Sequence, residues 1–251
     1  MGRLDGLVAL VTGAAHGMGA AYARGFAREG AVVVLADVDL AAAKRSAAEL
    51  AAGGAKATAI AVDMGEVVSV RTMVDQAVAF GGTLDVLVNN AGIGIAKPLL
   101  DYTEADWDRQ LAVNAKGPFF ALQAAARVMI PNRRGKIVNV ASTAAFVSSS
   151  TPEAVYDISK AAVRQLTVSA GAELAAHGIN VNGIAPGTVA TELTRQVLDT
   201  PDKLAHAAAK IPLGRVATPE DLVGTAVFLA SADADYLCGH VVVVDGGWLL
   251  Y

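Results

Sequence analysis

The chain has 251 residues, of which 54% are hydrophobic and 18% charged, and its formal net charge is −4. This length fits one α/β domain over residues 1–251, and the weakly negative charge gives no reason to expect nucleic-acid binding. A single cysteine, Cys238, excludes an intrachain disulfide and is expected to be a small packed hydrophobe in a reducing compartment. We expect a cytoplasmic protein with no membrane partner, because the sequence has no apolar targeting segment and no bilayer-spanning run.

Strand-like and helical segments alternate along the sequence. Strands are predicted at 7–11, 31–36, 56–62, 84–88, 136–141, 179–185 and 240–244. Helices are predicted up to about residue 29 and over 67–80, 104–130, 155–176 and 219–230. Pro131 is expected to close the helix 104–130. Seven strands with intervening helices predict a doubly wound parallel sheet, whose ligands bind beyond the carboxyl ends of the strands.

A glycine-rich turn follows the first strand directly and leads into a helix. Gly13, Gly17 and Gly19 have the spacing GxxxGxG. Strand, glycine turn and helix form the context of a dinucleotide site, because the backbone can approach a pyrophosphate at the helix N-terminus. Asp37 ends the second strand, 18 residues after Gly19. Its carboxylate can accept hydrogen bonds from a ribose 2′-OH and would repel a 2′-phosphate.

Tyr156 and Lys160 lie four positions apart, which places a phenol and an ammonium group on one face of a helix. A phenol is a poor base at neutral pH, and a fixed positive charge beside it lowers its pKa. Ser142 follows a strand-like run, and its hydroxyl could steady a substrate oxygen while the tyrosine moves a proton.

Taken in order, these motifs resemble the short-chain dehydrogenase/reductase family. The resemblance extends from Leu4 to Gly247 and is carried by Thr12 to Gly19, Asn89-Asn90-Ala91-Gly92, Asn114, Ser142 with Tyr156 and Lys160, and Pro186-Gly187. It implies a Rossmann-fold oxidoreductase that interconverts a secondary alcohol and a ketone by hydride transfer with NAD(H). It also implies a homotetramer that packs helices 104–130 and 155–176 against their mates. The apolar end 247–251 favours such a contact.

The resemblance assigns the catalytic roles. Tyr156 is the expected general acid/base, Lys160 is expected to lower its pKa and hold the nicotinamide ribose, and Ser142 is expected to bind the substrate oxygen. Asn114 is expected to help hold a proton-relay water. Asparagine is a poor residue in a helix interior, so a helix irregularity is expected there, and a capping or kink role for Asn114 stays open.

The resemblance also implies a set of cofactor contacts. The glycine turn, with Met18 beneath it, is expected to hold the pyrophosphate, while Asp63 and Met64 flank the adenine. The remaining expected contacts are Asn90, Ala91 and Gly92 on the adenosine side, and Pro186, Gly187, Val189 and Thr191 at the nicotinamide. For Asn89-Asn90, a strand-ending turn is the alternative interpretation.

Asp37 favours NAD over NADP. Members of the family that use NADP often carry Arg or Lys just before the second glycine or after the second strand, where this chain has His16 and Val38. His16 is counted among the expected cofactor contacts, although a surface or turn role suits it as well. The four histidines are scattered along the sequence and give no support to a metal site.

Three segments are expected to line the substrate pocket: 93–98, 143–155 and 188–212, the last as a mobile lid. They offer mainly apolar side chains and three hydroxyls, namely Ile95, Phe146, Val147, Val155, Leu193, Val197 and Leu198 with Ser148, Ser149 and Ser150. This predicts a secondary alcohol or ketone of moderate size, with cyclic, aromatic and steroid-like compounds as candidates. Glu153 is expected to be a solvated surface residue.

Two alternative functions stay open from the sequence. The first is an NADPH-dependent 3-oxoacyl-carrier-protein reductase of the same family, against which Asp37 and the mild acidity of the chain argue. The second is a non-catalytic protein that senses a dinucleotide. The presence of Ser142, Tyr156 and Lys160 argues against it.

Overall fold

The computed structural model describes residues 2–149, 151–195 and 198–250. Seven strands form one sheet, and their bounds are β1 Val8–Thr12, β2 Val32–Asp37, β3 Ala57–Ala61, β4 Val86–Asn89, β5 Gly135–Val140, β6 Ile179–Pro186 and β7 Val241–Val244. The helices are α1 Gly17–Arg28, α2 Leu40–Ala52, α3 Val67–Gly81, α4 Glu104–Leu111, α5 Gly117–Asn132, α6 Ala154–Leu174, α7 Pro201–Ala209 and α8 Val223–Ala230.

The strand order is β3-β2-β1-β4-β5-β6-β7 and all pairings are parallel. The order reverses direction between β1 and β4, which are neighbours although two strands and three helices separate them in sequence. This is the switch point at which doubly wound sheets bind their ligands. The predicted α/β architecture is therefore confirmed.

Both faces of the sheet are buried, as a parallel sheet requires. Side chains alternate across β1, so that Val11 belongs to a core cluster with Phe26 of α1, whereas Leu10 belongs to the opposite cluster with Met73 of α3 and Met129 of α5. All five of these side chains are fully buried. Helices therefore pack against both faces of the sheet and hold the ends of its strands in place.

In the structure the predicted helix 104–130 is divided into two helices and ends later than expected. A π-helical turn, Ala112–Lys116, separates α4 from α5, so the irregularity expected at Asn114 is confirmed. Pro131 does not close the helix. It lies inside α5, which runs to Asn132 and ends at Arg133 in a left-handed conformation (φ 48°). A proline removes a single amide donor, and here the helix continues for one more residue.

One surface expectation needs correction, because Cys238 is exposed rather than packed, and its thiol donates to the Gly171 carbonyl at 3.4 Å. Two ion pairs lie at the start of β5, where Arg134 pairs with the buried Asp85 and Lys136 of β5 pairs with Asp235. Within the described ranges, no helix is both long and apolar enough to cross a membrane.

Candidate active site

A cleft of about 740 Å³ opens at the carboxyl ends of β1, β2 and β4. It brings together most of the predicted cofactor contacts, namely Gly13, His16, Gly17, Met18, Asp37, Asp63, Met64, Asn90, Ala91, Gly92 and Thr191. Its volume lies in the range of small-molecule and cofactor sites. Residues from five separate sequence segments therefore converge on one cavity.

The glycine turn fits a phosphate group for reasons of backbone geometry. Gly13 and Gly17 have positive φ values of 63° and 54°, which side chains rarely adopt. A Cβ on Gly19 would come within 2.0 Å of the Gly13 carbonyl oxygen, so only glycine fits at this position in the first turn of α1. Within the described residues, the His16 side chain makes no capping hydrogen bond to α1. The first amides of α1 therefore meet the cleft without a side-chain acceptor from this residue, as a pyrophosphate site requires.

The Asp37 carboxylate is held in place at the rim of the cleft. One oxygen accepts from the Ala15 amide at 2.9 Å and the other from the Asp39 amide at 3.0 Å. The side chain thus couples the end of β2 to the glycine turn and carries its negative charge into the cleft. His16 is exposed and lies 3.9 Å from Asp39, and Val38 is 78% exposed.

The segment after β4 is tied to β1 by Thr12, which begins the motif Thr12 to Gly19 but has no predicted role of its own. The buried Thr12 hydroxyl accepts from the Asn90 and Ala91 amides at 3.0 and 3.1 Å. The Asn90 amide group donates to the carbonyls of Thr12 and Gly13. Asn89 points elsewhere and donates to Asn139 of β5 at 2.9 Å. Asn90 therefore lies in the turn that ends β4 and also in the wall of the cleft. The turn and the cofactor contact, which the sequence offers as alternatives, are compatible with each other.

Tyr156 and Lys160 lie one turn apart on α6 as predicted, with the Lys160 ammonium 5.6 Å from the Tyr156 ring centroid. Lys160 is 5% exposed and donates to the Val140 carbonyl at 2.9 Å. A Cβ on Gly92 would lie 3.5 Å from its Nζ, so the ammonium lies next to Gly92, which lines the cleft. Ser142 follows β5, and its hydroxyl accepts from the Ala144 amide at 3.1 Å.

The charges of the site act differently from the sequence-based expectation. Burial raises the pKa of Tyr156 to about 12, hydrogen bonding to Ser142 opposes this, and the charges of Glu153 and Asp157 add to the increase. Burial lowers the pKa of Lys160 to about 8. The pKa of Tyr156 is therefore not lowered as the sequence predicts, because the largest effect on it is the burial of the phenol.

Asn114 holds the wall of the cleft through the π-helical turn. Its side chain accepts from the Ile93 amide at 2.8 Å and donates to the Ile93 carbonyl at 2.8 Å and to the Ser159 hydroxyl at 3.0 Å. Ser159 in turn donates to the Tyr156 carbonyl at 2.7 Å. Ser159 is not among the site residues predicted from the sequence, although it lies next to the predicted catalytic residue Lys160. The chain Ile93–Asn114–Ser159–Tyr156 connects the segment after β4 to α6.

The predicted nicotinamide contacts divide into two groups. Thr191 lines the cleft, whereas Pro186, Gly187, Val189 and the earlier Gly19 are absent from its described lining. Val189 is 4% exposed and pairs with Ala217, and the Thr194 hydroxyl donates to its carbonyl at 2.6 Å. A Cβ on Gly187 would lie 2.9 Å from Asp245. Gly187 and Val189 are therefore packed against the rest of the fold and do not line the described part of the cleft.

The predicted substrate segments are only partly apolar at the surface. Leu193 lies against Gly94, and Phe146 stacks beneath Arg164 at 4.8 Å, but Val155 is buried and cannot line an open pocket. Ser150 and Val197 lie outside the described residues. The 188–212 segment contains the exposed helix α7.

Comparisons with known proteins agree with this geometry. A family model described as enoyl-(acyl carrier protein) reductase matches residues 13–249. The chain is 43% identical to sorbitol dehydrogenase of Cereibacter sphaeroides, over 98% of this chain and 99% of that protein. It is 37% identical to cyclopentanol dehydrogenase of Comamonas testosteroni, over 99% of both chains.

A solved structure shows the same fold. Gluconate 5-dehydrogenase of Burkholderia cenocepacia, in complex with NADP and tartrate, is 38% identical and superposes with a TM-score of 0.94. The match covers 99% of this chain and 97% of that chain. Together with the motifs and the sheet order, these similarities establish that the chain belongs to the short-chain dehydrogenase/reductase family.

Proposed function

We propose that the chain is an NAD(H)-dependent dehydrogenase that interconverts a secondary alcohol and a ketone, with Tyr156 as the general acid/base. The observation that carries this proposal is the position of the Lys160 ammonium, which lies next to Gly92 in the wall of a cleft that suits a dinucleotide and 5.6 Å from the Tyr156 ring centroid. The described lining of the cleft itself does not include Ser142, Tyr156 or Lys160. A bound nicotinamide dinucleotide would supply the hydride acceptor or donor and, when oxidised, a positive charge. The glycine turn, Asp37, Asn90 and Lys160 would hold it.

The chain's own residues account for the proton. Ser142 donates to the substrate oxygen, and Tyr156 gives a proton to that oxygen in ketone reduction or takes it in alcohol oxidation. Because the pKa of Tyr156 is raised to about 12, the phenol is protonated at neutral pH and is prepared for reduction. Alcohol oxidation needs the phenolate, so its rate should rise with pH. Residues 188–212 are proposed to close over the cofactor.

The preference for NAD rests on charge at the end of β2. The Asp37 carboxylate faces the cleft and is fixed there by two backbone amides, so a phosphate beside it would meet a negative charge. His16 already lies near Asp39 and is exposed, which makes it a weak partner for a phosphate. Several similar solved structures contain NADP, so the preference for NAD proposed here rests on Asp37 and not on the similarity to those proteins.

Replacing Asp37 by asparagine tests this preference. The amide keeps an acceptor for the Ala15 amide and removes the charge, so the ratio of kcat/KM for NAD to that for NADP should fall by about 10- to 100-fold. Steady-state nucleotide fluorescence with both cofactors, run side by side, measures the ratio. Asp75→Asn is the control, because Asp75 is exposed on α3 and is not among the described residues that line the cleft. A ratio that does not move in Asp37→Asn would refute the assignment.

We also propose a homotetramer built on α4, α5 and α6. Large apolar side chains on these helices are exposed, namely Trp107, Phe119, Ile158 and Val168. We interpret these exposed apolar side chains as contacts between the subunits of the proposed tetramer. Light scattering should give a mass four times the 25.5 kDa of one chain. A monomer at micromolar concentration would contradict the proposal.

A further inference from the structure

The groups along the carboxyl edge of the sheet follow the strand order, and this order places the two halves of a bound dinucleotide. Lys160 binds a carbonyl at the end of β5, the glycine turn follows β1, Asp37 ends β2, and Asp63 follows β3. In the proposed function the nicotinamide lies beside Lys160 and the pyrophosphate lies on the glycine turn. The remaining ribose then lies at Asp37, and the nucleobase lies at the end of β3.

The end of α4 packs against the segment that follows β3. A Cβ on Gly65 would lie 3.8 Å from Val113 and 3.9 Å from Ala112. Arg109 precedes Val113 by four positions and Ala112 by three, so it lies about one turn away on the same side of the helix. It lines the cleft together with Gly65 and both of these residues. Arg109 is therefore located at the nucleobase end of the cleft.

Arg109 is the one lysine or arginine in the described lining of the cleft. Asp63 and Glu66 line the same end, but no ion pair in the described part of the chain includes Arg109. The Asp63 carboxylate instead accepts from the Gly65 amide at 2.8 Å. Trp107, which we place between subunits, is two positions from Arg109 and therefore points to another side of α4. The guanidinium is thus available to a ligand in the cleft, also in the proposed tetramer.

Apolar side chains complete this end of the cleft. Val38 lines it although it is 78% exposed, and Val62 and Val113 line it as well. A flat aromatic ring suits such surroundings, since valine side chains pack against its face and a guanidinium can stack on it. A bound base would also remove the Val38 side chain from water. The nucleobase end therefore offers apolar contacts and one cation.

We propose that Arg109 binds the nucleobase of the dinucleotide by stacking its guanidinium on the ring. This inference rests on the proposed function and adds a cofactor-binding residue that the sequence analysis does not predict. Arg109 lies near the end of β3, whereas the proton moves beside β5, so Arg109 holds the nucleotide equally in the ground state and in the transition state. Its loss should therefore weaken nucleotide binding and leave kcat at saturating NAD unchanged.

Fluorescence titration with NADH measures this binding without turnover. In Arg109→Met the Kd for NADH should rise about 5- to 30-fold, because an aliphatic side chain remains and the cation is lost. Arg109→Lys keeps the charge without the planar group, so its Kd should still exceed that of wild type at least about threefold. The kcat of both variants at saturating NAD should stay within about twofold of wild type. Arg45→Met is the matched control and should bind NADH as wild type does, because Arg45 is exposed on α2 and does not belong to the described lining of the cleft.

Equal Kd values for NADH in wild type and Arg109→Met would overturn the inference. A Kd in Arg109→Lys equal to that of wild type would also overturn it, because a charge that lysine can replace indicates a contact with phosphate. In Arg109→Met, a loss of affinity for NADPH at least about tenfold larger than the loss for NADH would place the guanidinium at the 2′-phosphate and overturn it as well. These outcomes leave the proposed function standing. A folded wild type that binds neither NADH nor NADPH would instead overturn the proposed function, and this inference with it.

Discussion

Tyr156→Phe should lower turnover by about 10³-fold while nucleotide affinity stays within about twofold of wild type. The variant keeps the ring and removes only the hydroxyl, which is the group that exchanges a proton with the substrate. Because the Lys160 ammonium lies 5.6 Å from the ring centroid, the ring that remains should preserve the environment of Lys160. Initial rates give the turnover, and quenching of protein fluorescence by the nucleotide gives the affinity.

Tyr236→Phe is the matched control, since Tyr236 is fully exposed and distant in sequence from the cleft residues. It should behave as wild type in both measurements. Turnover within tenfold of wild type in Tyr156→Phe would contradict the assigned role. The comparison also separates the enzyme from a dinucleotide sensor, because the output of a sensor should survive the loss of this hydroxyl.

Lys160→Met should abolish most activity and yet stabilise the protein at pH 7. Lys160 is 5% exposed, and burial lowers its pKa to about 8. Between pH 8 and about 10.5 the unfolded chain binds the proton that the folded chain has lost, so the stability of wild type rises with pH across this window. At pH 7 wild type carries the full cost of the buried charge. Methionine removes that cost at the expense of the hydrogen bond to Val140.

Urea unfolding at pH 7 and at pH 10.5 measures this effect. At pH 7 the variant should gain about 1–3 kcal/mol, and the gain should shrink by about 3 kcal/mol at the higher pH. Lys44→Met is the control, because Lys44 is exposed on α2 and should show neither change. A variant that is less stable than wild type at pH 7, or a gain independent of pH, would show that Lys160 is not destabilising in the folded protein.

The fold could be predicted from local patterns because those patterns repeat in every unit. Apolar runs ending at Gly13, Asp37 and Asn90 gave the strands and placed the cleft at their carboxyl ends. The irregularity at Asn114 could be predicted because an amide side chain competes with helical hydrogen bonds. Its bounds could not, because they depend on the contact with Ile93, which is 21 residues away.

The electrostatics of the site could not be predicted from spacing. The interval from Tyr156 to Lys160 places two groups on one face, but it does not say that burial has the largest effect on the pKa of each group. Glu153, for which the sequence predicts a solvated surface position, is half-buried, and this depends on the path of the loop after Ser142. Exposure of Cys238 depends on the turn before β7. In each case the property depends on how deeply the side chain is buried in the folded protein, and a short stretch of sequence does not determine this.

Hydride transfer from a secondary alcohol at the Ser142–Tyr156–Lys160 site can be followed by isotope transfer. Cyclopentanol deuterated at the carbinol carbon is incubated with the protein and NAD, and the nucleotide is analysed by mass spectrometry. We expect one deuterium in the reduced nucleotide, cyclopentanone as the product, and loss of both in Tyr156→Phe. Reduced nucleotide without deuterium, or transfer that persists undiminished in Tyr156→Phe, would contradict this mechanism.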